Sequence, residues 1–498
     1  MENWISEKNG QSLSLREVPV LRFAELREDI VEKCRHGMRI AGFFGHREEK
    51  TLRLFIVLAS DAESTLLVSS AVFSEDEKSY ESLTPELPQF SMFEREFYES
   101  YGIEPLGHPW LKSVRFPHDG AIKKNEADYP FFKVGGEGIH EVGVGPVHAG
   151  VIEPGHFRFM CDGEKVIHLE IHLGYQHRGI EKLMTFPGAI SGKSVLAESI
   201  AGDSVIANMM AFCAIAESGS EGTPPLRAVV IRTIAMEMER AAIHIGNLAA
   251  LAGDIGYLTA NAFFGATRTY VINLLLAFSG SRFGRGLIRP GGIVYDIDPE
   301  IRKAVISSLK MVKDRVILMG EQMFDFPGVL SRFQRTGVVD AATAHKIGMV
   351  GLAARASGLK TDVRSDHPSG LYRFSPLHRL SMETGDVFAR AFLRYLEIKQ
   401  SLDFVLEQLE ELSDEGSIMK SPAPLKADSF IMSLVEGVRG EIAHFCITDS
   451  DGNISRYKIK DPSFNNWPGL AYAVRNEGIS DFPLCNKSFD LSYCGFDL

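Results

Sequence analysis

Forty residues constrain this chain more than any other stretch: Gly145 to Met184, GPVHAGVIEPGHFRFMCDGEKVIHLEIHLGYQHRGIEKLM. Two β-rich runs meet at Asp162-Gly163, a pair that suits a tight hairpin turn, so Arg158, Val166 and His168 fall on hairpin arms. A dense polar string follows, His168, Glu170, His172, His177, Arg178, Glu181 and Lys182, which Gly174 and Gly179 carry into a helix start. Three histidines this close could ligate a metal, since imidazole is the commonest metal-binding side chain. His168, Glu170 and His172 also alternate with Ile167, Leu169, Ile171 and Leu173, as a half-buried strand with one polar face requires. No cysteine or acidic cluster nearby completes a ligand set, so the strand is the expectation and no metal ligand is assigned.

HLGYQHRGIEKL, with GPVHAG and EPGHFRF ahead of it, resembles the start of the large subunit of group 4 membrane-bound nickel-iron hydrogenases, and of the related 49-kilodalton subunit of respiratory complex I. Those families share a fold and differ in what occupies the central cavity. Upstream, SLTPELPQFSMFEREFYESYGIEPLGHPWLKSVRFP is similar to the signature of the complex I 30-kilodalton subunit, with Phe93, Glu94, Arg95, Glu96, Tyr98, Gly102, His108 and Pro109 matching. Taken without that resemblance, Glu94, Arg95 and Glu96 read as a solvated or salt-bridged helix face. Either way the segment is a docking module rather than a catalytic one.

A chain of 498 residues is too long for one ordinary core. The expected architecture is α+β: a small α/β domain over residues 1–118, a Gly-rich linker over 119–144, and a larger, mainly helical domain over 145–498 with peripheral β-hairpins. A net charge of −12 with no basic run argues against nonspecific nucleic-acid binding. The six cysteines are scattered with no CxxC pair, which fits a reducing compartment and leaves no local frame for a cluster or zinc. No uninterrupted apolar run of bilayer length stands out, and the N-terminus lacks a signal peptide's basic flank. The expected location is therefore cytoplasmic, peripheral to the membrane through partner subunits.

Helical spacing runs over Ser194 to Glu217, Leu226 to Tyr257, residues 300 to 328 and Glu383 to Leu412. Glu237, Arg240 and His244 share one helix face, either a solvated stripe or a buried network. Arg289 opens an RPGG turn and is either a contact for a polar cofactor or a cap on a helix C-terminus. DVRSDHPSGLY resembles the group 4 motif DxRxDHPY, with Ser369 at the usual tyrosine. Its Asp362, Arg364, Asp366 and His367 could handle protons or simply hydrogen-bond a loop. EGVRGE, Glu436 to Glu441, matches an EAPKGE-type hairpin of the 49-kilodalton family, and a second hairpin is expected around Asp451-Gly452.

The resemblance also says what is missing. Where hydrogenases carry their first nickel-binding CGxC, this chain has Ala201, Gly202, Asp203 and Ser204; the second pair, DPCxxC, falls on Ser492 and Gly495, with Cys494 one residue out of register. A nickel-iron centre needs four thiolates, so none is expected, and no cofactor is expected to be bound by this chain. In the complex I relative, a hairpin histidine and a helix tyrosine hold the quinone headgroup. His148 or His156 could be the first, but the tyrosine position falls near Gly202, with no tyrosine between Ser194 and Glu217, so quinone reduction by that arrangement is not expected, while a quinone-like pocket could remain.

The residues singled out for proton chemistry are His148, His156, His172, His177, Arg178, Glu181, Glu237, Arg240, His244, Asp366 and His367, with Arg289 and Asp203 as cofactor contacts. The implied partners are an iron-sulfur small subunit holding the cluster, a ferredoxin-like subunit and integral membrane antiporter-like subunits. Two roles fit: a subunit coupling electron arrival to proton or ion movement, or a chemically silent assembly subunit. A polar cavity with shifted pKa values favours the first.

Overall fold

The computed structural model describes residues 3–48, 50–122, 129–148 and 152–498. Near its N-terminus, the long apolar runs Arg39–Glu48, Thr51–Ser60 and Thr65–Phe73 pair antiparallel, with Ile5–Glu7 at the open edge beside Thr65–Phe73 and Val20–Leu21 parallel to the same strand. Side chains alternate across a pleated strand. Leu54, Ile56 and Leu58 therefore pack into one core with the helices Phe23–Arg35 and Ser91–Tyr101, while Phe55, Val57 and Ala59 pack into another.

That second core lies against a second sheet, ordered Ile454–Lys460, Glu441–Thr448, Ser429–Glu436, Ser12–Ser14. Phe44 stacks on Phe445 at 5.4 Å and Phe55 on Phe430 at 5.3 Å between the two sheets. Two structural details show how closely the N-terminal domain is joined to the larger one, and that a sheet expected as peripheral hairpins lies inside. Ser12–Ser14 crosses into the C-terminal sheet, and every residue of Ser429–Glu436 and Glu441–Thr448 is buried. The reason is that one face of this sheet meets the N-terminal sheet and the other meets the helix Val205–Gly219, so a run such as FIMSLV has apolar neighbours on both sides.

The α+β class holds. The helical part is a bundle of Leu226–Asp254, Leu258–Ser279, Pro299–Asp325 and Val387–Glu411. Leu258–Ser279, 22 residues interrupted by Asn261 and Arg268, is long and apolar enough by length and composition to cross a bilayer. It packs along Leu226–Asp254 and Pro299–Asp325, burying Phe264, Val271 and Leu275 in the bundle.

The stretch from Gly145 to Met184 forms the expected hairpin, His156–Asp162 with Lys165–His172, in a register that sets His156 opposite His172 and Arg158 opposite Glu170. Part of the segment expected as linker joins it: Ile139–Val144 is the third strand of the same sheet. Residues 123–128 of that segment lie outside the described residues.

The acidic helix Ser91–Tyr101 is not a solvated face. Buried Glu94 accepts from Ser82 Oγ (2.6 Å) and the Leu83 amide (2.9 Å), and Glu99 accepts from the amides of Val114, Arg115 and Phe116. Glu96 pairs with Arg115 and with Lys458 of the C-terminal sheet. The carboxylates of this segment thus satisfy backbone and cations inside the molecule.

Candidate functional site

The helix expected over Ser194 to Glu217 is broken into Ser194–Ala197 and Val205–Gly219, and residues 198–204 form a loop between them. Buried Glu239 accepts from the amides of Ile206 (2.8 Å) and Ala207 (3.1 Å) at the start of the second piece. Burial pushes its carboxyl up to about 8, so it serves as a neutral or weakly charged cap there.

Facing this loop is the end of the chain, where Ser492 Oγ accepts from the Gly495 amide (2.9 Å) and caps the short helix Tyr493–Asp497. Two arginines fasten loop to C-terminal segment. Arg178 donates to the carbonyls of Ser199 (2.5 Å), Ile200 (3.0 Å) and Cys494 (2.8 Å). Arg439 grips Asp203 with both terminal nitrogens, at 2.6 and 3.0 Å, lies 3.5 Å from Ser204 Oγ, and donates to the Asp490 carbonyl. Burial alone would raise the Asp203 carboxyl; Arg439 beside it brings it below the ordinary value. Cys494 stands next to Ser492 Oγ (3.6 Å), and burial, with the Glu153 carboxylate adding to it, pushes its thiol up to about 11. Gly495 is pressed against Asp461: a Cβ there would lie 2.4 Å from the carboxylate oxygen.

Arg439 reaches this place from the turn Glu436 to Glu441 between two central strands. The turn crosses another backbone at close range. Gly440 (φ 132°) and Gly351 (φ 66°) face each other, and a Cβ on Gly351 would sit 2.1 Å from the Gly440 Cα, so only glycines permit the crossing. One turn thereby feeds three ion clusters. Arg439 joins the Asp203 cluster; Glu441 bonds Arg39 and Lys460, each at 2.6 Å; Glu436 enters a network in the helical bundle.

That network resolves the face shared by Glu237, Arg240 and His244, which is buried rather than solvated. Glu237 accepts from Tyr372 Oη and Ser401 Oγ, both at 2.5 Å, and lies 3.2 Å from Arg240 and 3.4 Å from Arg364. Glu397 takes His244 Nε2 at 2.8 Å and Arg355 at 2.5 Å. Arg364 also holds Asp362 at 2.8 Å, and Arg355 holds Glu436 at 2.8 Å. Arg240 donates onward to the carbonyls of Glu436 (2.6 Å) and Gly437 (2.9 Å), at the root of the turn that carries Arg439.

Four carboxyls, Glu237, Asp362, Glu397 and Glu436, thus share three guanidiniums, Arg240, Arg355 and Arg364. Burial pushes His244 down to about 4, so it supplies no fourth positive charge at neutral pH. The surplus falls on Glu436, which burial and the neighbouring Asp362 push up to about 7. Glu237 and Glu397 go the other way: burial opposes ionisation, but adjacent arginines hold both below the ordinary carboxylate range. The cluster can therefore keep or release one proton near neutrality, as paired sites with opposed pKa values do.

The remaining singled-out residues lie elsewhere. His177 Nδ1 bonds the Asp497 carbonyl (2.7 Å), and Glu181 bonds Lys458 and Arg456, each at 2.9 Å. Asp366 pairs with Arg379, and burial pushes it up to about 6; His367 Nε2 bonds Asp61 of the N-terminal sheet at 2.9 Å. Arg289 pairs with Glu198 (2.6 Å) and donates to the Ile288 carbonyl (2.7 Å). His156 Nδ1 contacts the Gly145 carbonyl (3.1 Å), while both ring nitrogens of His148 are buried without a partner among the described residues. His172 stacks on Tyr129 at 4.4 Å, in a separate cavity.

Sequence reasoning did not pick Arg355, Glu397, Glu436, Arg439 or Asp490. The usable signal was a lone charge inside a small-residue run, Arg355 in GLAARASG; Glu397 sits among other charges, Arg394 and Lys399, and gave none.

The helical bundle, the buried central sheet and the loop joined to the C-terminal segment by two arginines thus enclose a polar interior built of paired charges. The family profile described as respiratory-chain NADH dehydrogenase, 49 Kd subunit, matches residues 254–428, and that of the 30 Kd subunit matches residues 18–131. The chain is 30% identical over 355 residues to the carbon monoxide-induced hydrogenase of Rhodospirillum rubrum, covering 70% of this chain and 97% of that protein. It is 28% identical over 473 residues to hydrogenase-4 component G of Escherichia coli, covering 90% of this chain and 82% of the relative. The fold is shared with a chain of the membrane-bound sulfane sulfur reductase, an archaeal respiratory membrane complex, at a TM-score of 0.68 and 23% identity over 73% of this chain and 99% of the other. The chain belongs to the family of group 4 membrane-bound hydrogenase large subunits and complex I 49-kilodalton subunits, with a 30-kilodalton-type segment fused ahead.

Proposed function

We propose that this chain is the large peripheral-arm subunit of a membrane-associated, complex I-like oxidoreductase that works without a nickel-iron centre and couples electron arrival from an iron-sulfur partner subunit to proton or ion movement. The donor set supports the first part. At the four positions that the resemblance assigns to thiolates, Ala201 and Gly495 offer no donor atom, Ser492 Oγ is used as a helix cap, and Ser204 Oγ faces Arg439. Asp461 fills the space that a side chain at Gly495 would need, and Cys494 stands one residue out of register with the position that the resemblance assigns to a thiolate. These residues do not fit a centre that requires four deprotonated sulfurs, and no step is routed through one.

The observation that carries the reading is the Glu436 to Glu441 turn. Its arginine sits where the loop and C-terminal segment meet, and its first glutamate belongs to the buried network with one carboxyl in excess. Arg439 and Glu436 stand three residues apart on this turn, so a change of charge or position at Arg439 would reach, through that short backbone, a carboxyl pushed up to about 7. Partner subunits of the iron-sulfur, ferredoxin-like and antiporter-like kinds, and a position on the cytoplasmic side of the membrane, belong to the same proposal.

The test is metal analysis of the intact purified complex, together with hydrogen and quinone turnover and ion uptake in vesicles. The expected result is nickel far below one per chain, no hydrogen turnover, and ion uptake that falls in Glu436→Gln. Stoichiometric nickel held by this chain overturns the first part; undiminished uptake in Glu436→Gln overturns the second.

A further inference from the structure

A cavity of about 590 Å³ opens where the fused N-terminal segment meets the hairpin Lys165–His172 and the helix Pro462–Ala473. It is separate from the Asp203–Arg439 cluster and shares no residue with the bundle network. Its size is that of a small-molecule pocket, roughly 300–1,000 Å³.

Its walls are flat and aromatic. Trp110 stacks on His168 (5.4 Å, 16°) and Tyr129 on His172 (4.4 Å, 16°), and Trp467 and Phe464 come from the helix. The charges are unbalanced. Glu170 is neutralised by Lys112 and accepts from the Phe132 amide (2.7 Å). Arg95 donates to the carbonyls of Lys112 and Ser113, each at 2.9 Å, and has no ion pair among the described residues. Exposed Arg475 lies over Tyr472 at 5.4 Å, with no ion pair among the described residues. Burial keeps His168 and His172 neutral. Finally, Trp467 Nε1, Asn465 Oδ1, His168 Nε2 and His172 Nε2 are buried without hydrogen-bond partners among the described residues, and all four belong to residues that line one cavity. Buried polar atoms are nearly always paired, so such a concentration marks a place where a partner is supplied from outside.

We propose that this junction cavity binds a flat aromatic or heteroaromatic anion, its ring between the Trp110 and Trp467 walls and its charge toward Arg475. Two of the chain's three tryptophans line the cavity, and Trp4 lies elsewhere, so intrinsic fluorescence reads occupancy directly. The probe is 2-naphthoate, with neutral 2-naphthylmethanol as the charge control, added to the full chain and to the intact complex.

The expected result is saturable quenching by naphthoate, about tenfold tighter than the neutral control, a ratio equivalent to one charge-assisted hydrogen bond. Arg475→Gln abolishes that preference. Ala471→Phe, which fills the cavity from the helix, abolishes saturation, and Trp110→Phe, which keeps the wall apolar, removes part of the signal while binding persists. Non-saturable quenching, or unchanged binding in Ala471→Phe, overturns the proposal. Binding to the isolated chain that disappears in the intact complex also overturns it, and assigns the cavity to a segment of a partner subunit.

Discussion

The guanidinium of Arg439 meets the carboxylate of Asp203 in a two-point contact of 2.6 and 3.0 Å, joining a hairpin turn to a loop 236 residues earlier in the sequence. Arg439 is almost wholly buried, whereas the Asp203 side chain is 39% exposed. The contact therefore holds the loop in place from one side and leaves the carboxylate reachable from the other.

Arg439→Met removes the buried partner and leaves Asp203 and the Asp490 carbonyl uncompensated. Breaking a buried pair from one side costs about 3–5 kcal/mol, and partial exposure of Asp203 places this case toward the low end. Asp203→Asn, which leaves Arg439 bonded to Asp490, is expected to cost clearly less. Denaturant midpoints of both variants check the order.

Glu436 makes stability depend on pH in a stated direction. An unfolded glutamate titrates near about 4.3, and Glu436 in the folded chain at about 7. Between those values the unfolded chain releases a proton that the folded chain keeps, so stability falls as pH rises and levels off above about 7. Glu436→Gln removes this dependence. Its melting temperature relative to the unsubstituted chain is expected to rise from pH 5 to pH 8, and a flat difference refutes the assignment.

Tyr372 donates to Glu237 at 2.5 Å inside the bundle network. Tyr372→Phe removes one hydrogen bond to a buried carboxylate and leaves the ring packed beside Phe404. The expected loss is about 1.5–3 kcal/mol by urea unfolding. Glu237→Gln is expected to lose more, because it also leaves Arg240 and Arg364 short of charge.

Cys494 is expected to be a slow nucleophile. Its thiol, pushed up to about 11, holds far less thiolate at pH 8 than an ordinary cysteine near about 8.5. Alkylation by iodoacetamide in the native chain should run at least tenfold slower than for a free thiol. Glu153→Gln, which removes the neighbouring carboxylate, should speed it up.

The local chemistry of the hairpin was legible from its residues: the Asp162-Gly163 turn and the alternation of His168, Glu170 and His172 are set by neighbours in the chain. So was the helix face of Glu237, Arg240 and His244, because helical period depends only on spacing. Whether that face was wet or dry was not legible. Its partners Arg355, Arg364, Glu397 and Glu436 lie more than 100 residues further on, and burial is decided by what packs there.

By itself, the sequence determined the family, the α+β class, and the absence of cysteine at Ala201, Ser204, Ser492 and Gly495, since these depend on residue identity and local pattern. Only the tertiary structure decided that the C-terminal sheet is internal, that Arg439 stands between Asp203 and Asp490, and that four carboxyls share three guanidiniums. Those facts arise from long-range contacts in a medium of low dielectric constant, where the charge of one residue is set by the positions of the others.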